Sequence, residues 1–161
     1  MLLVYSVTHF LVDFSCAFLM FRHVMTAPDW YLCVLIYNFC AFAMQMPLGI
    51  LADRWNRNAV FAVIGCALIG AAYGFGQAPV AAVILAGIGN GMFHIGGGID
   101  ILNISRKRSA ALGIFVSPGA FGIYFGTLLG RGTGLSPVLV VIVLLLAIGS
   151  ILAIRRMQGN S

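Results

Sequence analysis

Glutamate is absent from this chain of 161 residues, and its only acidic residues are Asp13, Asp29, Asp53 and Asp100. Charged residues of both signs make up 8% of the sequence, where an ordinary soluble domain carries about a quarter. So few charges cannot coat a water-facing surface, which excludes a soluble enzyme or binding domain. With 61% hydrophobic residues and a mean hydropathy of +1.05, the chain has lipid as its solvent. Other things are missing as well. The cysteines Cys16, Cys33, Cys40 and Cys66 form no CxxC pair and lie inside apolar runs, as small buried hydrophobes do. No metal-ligand set and no cofactor motif is assigned. The first apolar run has neither a basic n-region nor a small-residue cleavage site, so it reads as a retained span. A G-x-S-G segment, which a six-helix intramembrane serine protease would carry, is also lacking. The chain is therefore not read as an enzyme.

What is present is six apolar runs, approximately 2–24, 30–52, 59–76, 79–104, 109–130 and 137–154. A helix needs about 20 residues to cross the hydrocarbon core. Backbone groups in lipid must be bonded within the segment, and these runs do not alternate as barrel strands do, so each is expected to be a helix. The fold class is an all-α membrane protein, with residues 1–161 forming one six-helix bundle. The links are short, which makes neighbouring helices antiparallel. The net charge of +5 does not point to nucleic acid, because the basic residues sit at the ends of the apolar runs. Arg54, Arg57, Arg106, Lys107, Arg108, Arg155 and Arg156 fall on one side, against Arg22 and Arg131 on the other. The richer side is expected to be cytoplasmic, with both termini there and the chain in the cell membrane. Pro28, Pro79 and Pro137 stand at helix starts, where a missing N–H costs little, and Ser136 is the expected cap of the sixth helix. Pro47 and Pro118 lie inside helices and should bend them. The spacings Gly70/Gly74, Gly87/Gly91, Gly122/Gly126 and Gly126/Gly130 are suited to close helix packing.

Two stretches concentrate polar chemistry. The first, "PLGILADRWNRN", joins the second and third helices. Gly49 is expected to admit a neighbouring helix. Asp53 is placed to cap the third helix, whose dipole favours negative charge there. Arg54 and Arg57 can engage facing helix ends or lipid phosphates. The second stretch is inside the membrane. "THFLVDF" sets His9 and Asp13 one turn apart on one face, and "GNGMFHIGGGID" does the same for Asn90 and His94. Counting roughly 1.5 Å per residue puts Asp13, His9 and His94 at similar mid-membrane depth. A mid-membrane Asp costs roughly 2.5–3.5 kcal/mol to insert and is expected to face a cavity or a partner. His titrates in the physiological range, so a His–Asp pair across two helices can exchange protons or hold a cation. Asp100 is six residues past His94, on another face, and is expected either to join that pathway or to cap the cytoplasmic end near Arg106 and Arg108. Gly96, Gly97 and Gly98 imply a bend, an unwound segment or close packing. Asn38 and Gln45 share a face of the second helix, towards a neighbouring helix or a cavity.

The segment Gly49, Leu51, Ala52, Asp53, Arg54, Arg57 resembles the cytoplasmic-loop signature of the major facilitator superfamily, roughly G-x-L-a-D-r-x-G-r-r. Asn56 stands where that family has Gly, a change that a left-handed turn accepts. Asn58 replaces a usual basic residue. The resemblance implies two inverted three-helix repeats, which together make one half of the fold. It also implies that the second-to-third link gates alternating access, and that the first and fourth helices line the central cavity. "HFLVD" with "GNGMFHIGG" looks similar to the fosmidomycin-resistance-like branch of exporters. The fifth helix's "GIFVSPGAFG", with Gly113, Ser117, Pro118 and Gly122, resembles the antiporter signature G-x-x-x-G-P. The fourth helix lacks the Arg of many proton-coupled members.

The expected function is therefore the N-terminal half of a secondary transporter, moving a small solute by alternating access, with proton-coupled efflux. Its pathway residues are His9, Asp13, Asn90, His94 and Asp100. The alternatives are a six-helix substrate-binding subunit of a multi-component transporter, or a truncated fragment that does not transport. Membrane lipid, a small-molecule substrate and a second six-helix half are the expected partners. The second half is a separate chain, a missing part of the gene, or another copy of this one.

Overall fold

The computed structural model describes residues 1–106 and 108–159, the last two by backbone alone. Lys107, counted above in the charge bias, lies outside the described residues. Six helices are long and apolar enough to cross a membrane: α1 Leu2–Val24, α2 Trp30–Trp55, α3 Asn58–Phe75, α4 Pro79–Ile104, α5 Ser109–Gly130 and α6 Pro137–Met157. No strand occurs among the described residues. Ser136 caps α6 as expected, its Oγ accepting the Val138 N–H at 3.3 Å.

Two helix ends lie about a turn beyond their expected places: α6 runs on to Met157, and α2 runs into the "DRWNRN" link. α2 runs on to Trp55, and the chain then reverses at Asn56, whose φ of 49° and ψ of 37° are left-handed. The Asn56 N–H closes the helix on the Ala52 carbonyl at 2.8 Å. This is the C-terminal cap that Gly usually supplies, and Asn is the next most tolerant residue there. Asn56→Gly is expected to leave the thermal midpoint almost unchanged. Asn56→Val should destabilise by about 1–2 kcal/mol, the cost of a left-handed β-branched residue; thermal unfolding in detergent would check both. The extra turn keeps Asp53 within α2, where it is exposed. Arg57 instead occupies the N-cap position of α3, with no side-chain cap bond. The expected Asp53 cap does not form.

Proline and glycine act differently from place to place. A widened π-helical turn, Phe39–Ala43, ends one turn before Pro47, whose ring would crowd the Ala43 carbonyl. The Gln45 amide donates to the Ala41 carbonyl at 2.8 Å, and Asn38 to the Val34 carbonyl at 2.8 Å, so both satisfy their own helix. α5 keeps its α-helical winding through Pro118. α4 is likewise unbroken through Gly96, Gly97 and Gly98. These glycines serve close packing: a Cβ on Gly96 would meet the Asn58 carbonyl of α3, and one on Gly97 the Phe115 ring of α5.

α1 packs along α5, α3 along α4, and α2 on α4, while α6 lies against α1 and α3. Lipid offers no hydrophobic drive between helices, so close approach and dispersion hold the bundle. The seams are glycine. Gly122, Gly126 and Gly130 lie on the backbone of Phe10, Phe14 and Phe18. Gly65 and Gly89 face each other so closely that a Cβ on either would stand 2.5–2.6 Å from the other's carbonyl oxygen. A Cβ on Gly87 would stand 2.6 Å from Cys40 Cβ and 2.8 Å from the Tyr37 carbonyl oxygen, and one on Gly91 a looser 3.2 Å from the Ala41 carbonyl oxygen. Of the expected spacings, Gly70/Gly74 has nothing within 4 Å. Gly49 makes only an ordinary 3.9 Å approach to Ile95, so α2 meets α4 at Gly87 instead. All four cysteines are buried and none forms a disulfide.

Ion pairs and stacking tie the two ends. At one, Arg155 of α6 pairs with Asp100 of α4, which also accepts a 2.6 Å bond from the Tyr5 hydroxyl of α1. At the other, Arg22 donates to the Gly132 carbonyl at 2.9 Å, and Arg131 lies 4.7 Å from the Phe21 ring centre.

Candidate functional site

The helical repeat that aligned His9 with Asp13, and Asn90 with His94, brings both pairs to the contact between α1 and α4. His9 Nε2 stands 3.1 Å from Asp13 Oδ2, and His94 Nε2 stands 3.8 Å from Asp13 Oδ1. The Asn90 amide donates to Asp13 Oδ1 at 3.1 Å. One carboxylate thus faces two imidazoles and an amide. His9 is 1% exposed and Asp13 9%, so neither relies on bulk water to satisfy its polar atoms. Phe93 and Phe115 flank His9 with ring centres at 5.8 and 4.6 Å, walling the group with aromatic carbon. The two imidazoles meet edge to face at 4.4 Å.

The state of His94 follows from its neighbours. Its Nδ1 is 2.9 Å from the Asn90 carbonyl oxygen. A carbonyl only accepts, so Nδ1 carries a proton and a neutral His94 turns an Nε2 lone pair towards Asp13. Two electron-rich atoms then face each other across 3.8 Å, and a cation can be held between them.

The group lines a cavity of about 620 Å³ bounded by α1, α2, α4 and α5; no residue of α3 or α6 borders it. Its wall is mostly apolar, including Phe21, Trp30, Val34 and Ile123, with Asn38, Ser117 and Thr127 as polar points. Such a surface suits an amphipathic small molecule, oriented by a few polar groups.

Gly119 was not singled out by sequence, although it lies inside "GIFVSPGAFG". A Cβ there would collide with Asp13 Oδ2 and stand 2.7 Å from His9 Nε2. The missing side chain is what lets α5 close over the pair. Gly119→Ala is expected to displace the carboxylate and cut activity of the site by about tenfold or more, since displacements of about 1 Å can cost a hundredfold. Initial rates compared at equal folded protein would check it. The relevant signal was the recurrence of small residues along α5, but only the neighbouring helix reveals what fills the space.

The other expected site residues are distributed as follows. Asp100 is absent from the cavity lining and does not pair with Arg106 or Arg108. It is held by Tyr5 and Arg155, a cluster that sequence reading missed because its members are 95 and 55 residues apart. Ser117 borders the main cavity and donates to the Gly113 carbonyl at 2.7 Å. Gly113 has nothing within 4 Å, Pro118 borders a separate groove beside Leu2 and Phe10, and Gly122 belongs to the α1 seam. Asp53, Arg54 and Arg57 are exposed. Arg57 also borders a second cavity of about 540 Å³ with Asp100 and Arg155. Comparison with known protein families, with curated proteins and with solved structures gave no match to this chain.

Proposed function

We propose that the chain is the N-terminal half of a secondary transporter of the major facilitator type, exporting a small solute in exchange for protons across the cell membrane, with both termini cytoplasmic. The observation that carries the reading is the buried Asp13 carboxylate, held by His9, His94 and Asn90 at the floor of a cavity made by α1, α2, α4 and α5 alone. Helix pairing supports the two inverted repeats. Matching α1 to α4, α2 to α5 and α3 to α6 turns the α1–α5 contact into the α4–α2 contact, and α3–α4 into α6–α1. The left-handed Asn56 supports the gating-loop reading, because it supplies the turn for which the family uses Gly.

In this reading the solute enters the apolar cavity and meets Asp13. The carboxylate is shared between solute and proton, and the bundle rocks against a second six-helix half, supplied by another chain, a further part of the gene or a second copy. The residues of the "GILADRWNRN" link, Gly49, Asp53, Arg54 and Arg57, latch the cytoplasmic side. Inverted vesicles from cells producing the chain test this. After a proton gradient is built, a transported amphipathic solute is expected to collapse part of it, as read by a pH-sensitive dye. A gradient that no solute in a broad panel disturbs, with the chain present in the vesicles, contradicts proton-linked export.

A further inference from the structure

We infer that His9, Asp13 and His94 form a binding site for a divalent first-row transition-metal ion, zinc being the natural member, and that a small organic chelate of such an ion is the solute class of the cavity. The second part deepens the transport reading and rests on it; the binding site itself does not.

Four observations carry the site. The donor atoms of the three side chains all lie within 4.8 Å of one another. Metal bonds of about 2.0–2.1 Å at tetrahedral angles separate ligand atoms by roughly 3.3 Å. The 3.1 Å and 3.8 Å separations to Asp13 bracket that value, and small rotamer changes bring the set to it. Next, the Nδ1–H of His94 is committed to the Asn90 carbonyl, the outer-shell bond that commonly fixes a metal-binding imidazole and turns its Nε2 lone pair inward. His9 Nε2 stands 3.1 Å from the Asp13 carboxylate, which only accepts, so in the empty site Nε2 carries the proton; the buried, unpartnered Nδ1 is where that proton can move when a cation takes Nε2. Finally, the set is one carboxylate and two imidazoles with an open side on the cavity, the pattern of three protein ligands plus an exchangeable position. Two imidazoles favour zinc, cobalt or nickel over magnesium or calcium, which prefer all-oxygen sites. Turning the Asn90 amide by half a revolution would bring its oxygen to the place its NH2 now holds beside Asp13, as a fourth ligand.

The test uses the full chain purified in detergent and titrated with Co²⁺ as a spectroscopic probe, then with Zn²⁺ in competition. One Co²⁺ per chain is expected, with ligand-field absorption bands that Zn²⁺ abolishes and excess Mg²⁺ leaves unchanged. Asp13→Asn and His94→Gln should each weaken binding by about a hundredfold or more. His23→Gln, which changes a histidine outside the cavity lining, should bind as the parent does. Gel filtration confirms that each variant is folded, and a variant that does not fold is replaced by His9→Gln. Absence of Co²⁺ bands in the parent, equal binding by Asp13→Asn, or loss of binding in His23→Gln overturns the site. Vesicle transport separates the two readings. Proton-linked export of organic solutes by a chain that binds no metal removes this inference and keeps the transport reading. Metal binding without any transport keeps the binding site and removes both the transport reading and the solute class.

Discussion

Gly122→Leu is expected to yield almost no folded protein, whereas Gly70→Leu should accumulate and melt as the parent does. The two glycines look alike in sequence, each four residues from another in an apolar helix. At Gly122 an added Cβ would fall on the Phe10 carbonyl and within 3.0 Å of the Phe14 N–H of α1. These are backbone atoms, which cannot turn aside as a flexible side chain can. Overpacking costs about 1–3 kcal/mol where side chains can adjust, and more where they cannot. Total stabilities of about 5–15 kcal/mol leave little room for that. Separating α1 from α5 also opens the floor of the cavity, because Gly119 lies on the same seam. At Gly70 nothing lies within 4 Å of an added Cβ, so a larger side chain enters open space. Gly89→Leu should fail as Gly122→Leu does, through the Gly65 backbone of α3. Fluorescence-detected gel filtration of the three variants, at matched expression, measures this directly.

Asp13→Asn is expected to reduce proton-driven solute movement by about a hundredfold, the lower end of what a positioned proton-transfer group contributes, and to flatten its pH dependence. The replacement keeps the shape of the side chain and removes its charge. His9 and His94 then lose the anion they face at 3.1 and 3.8 Å, and no other acidic side chain borders the cavity. Folding should not suffer, because a mid-membrane Asp costs roughly 2.5–3.5 kcal/mol to insert and a neutral amide costs less. Unchanged thermal stability with lost proton-driven movement therefore separates a coupling role from a structural one. Full activity with the parent's pH profile would remove Asp13 from the account.

The helical frame was legible because its causes are local. Apolar run length, prolines at three helix starts and short polar links placed all six spans within a few residues, and the Asn56 turn followed from the tolerance of Asn for left-handed backbone. The His9–Asp13 and Asn90–His94 pairs were legible for the same reason, since helical repeat alone puts each pair on one face. Partnerships between distant residues were not. Tyr5, Asp100 and Arg155 come together only once α1, α4 and α6 are packed, and no spacing in the chain encodes it. Gly119 and the Gly65–Gly89 contact were hidden because a glycine's use depends on the backbone opposite. Asp53 misled for a related reason: one further turn of α2 removed it from the N-terminus of α3.

The central claim is that the cavity of α1, α2, α4 and α5 opens alternately to the two sides of the membrane. Ser117→Cys places a thiol on its wall, made in a Cys16→Ala background because Cys16 also borders that cavity, while Cys33, Cys40 and Cys66 are buried away from it. The most direct measurement is labelling of that thiol by a membrane-impermeant maleimide, in right-side-out and in inverted vesicles, with and without solute. The account predicts labelling from both sides, with the ratio of the two rates shifting when solute is added, and no such shift in Asp13→Asn. Labelling from one side only, indifferent to solute, would contradict it.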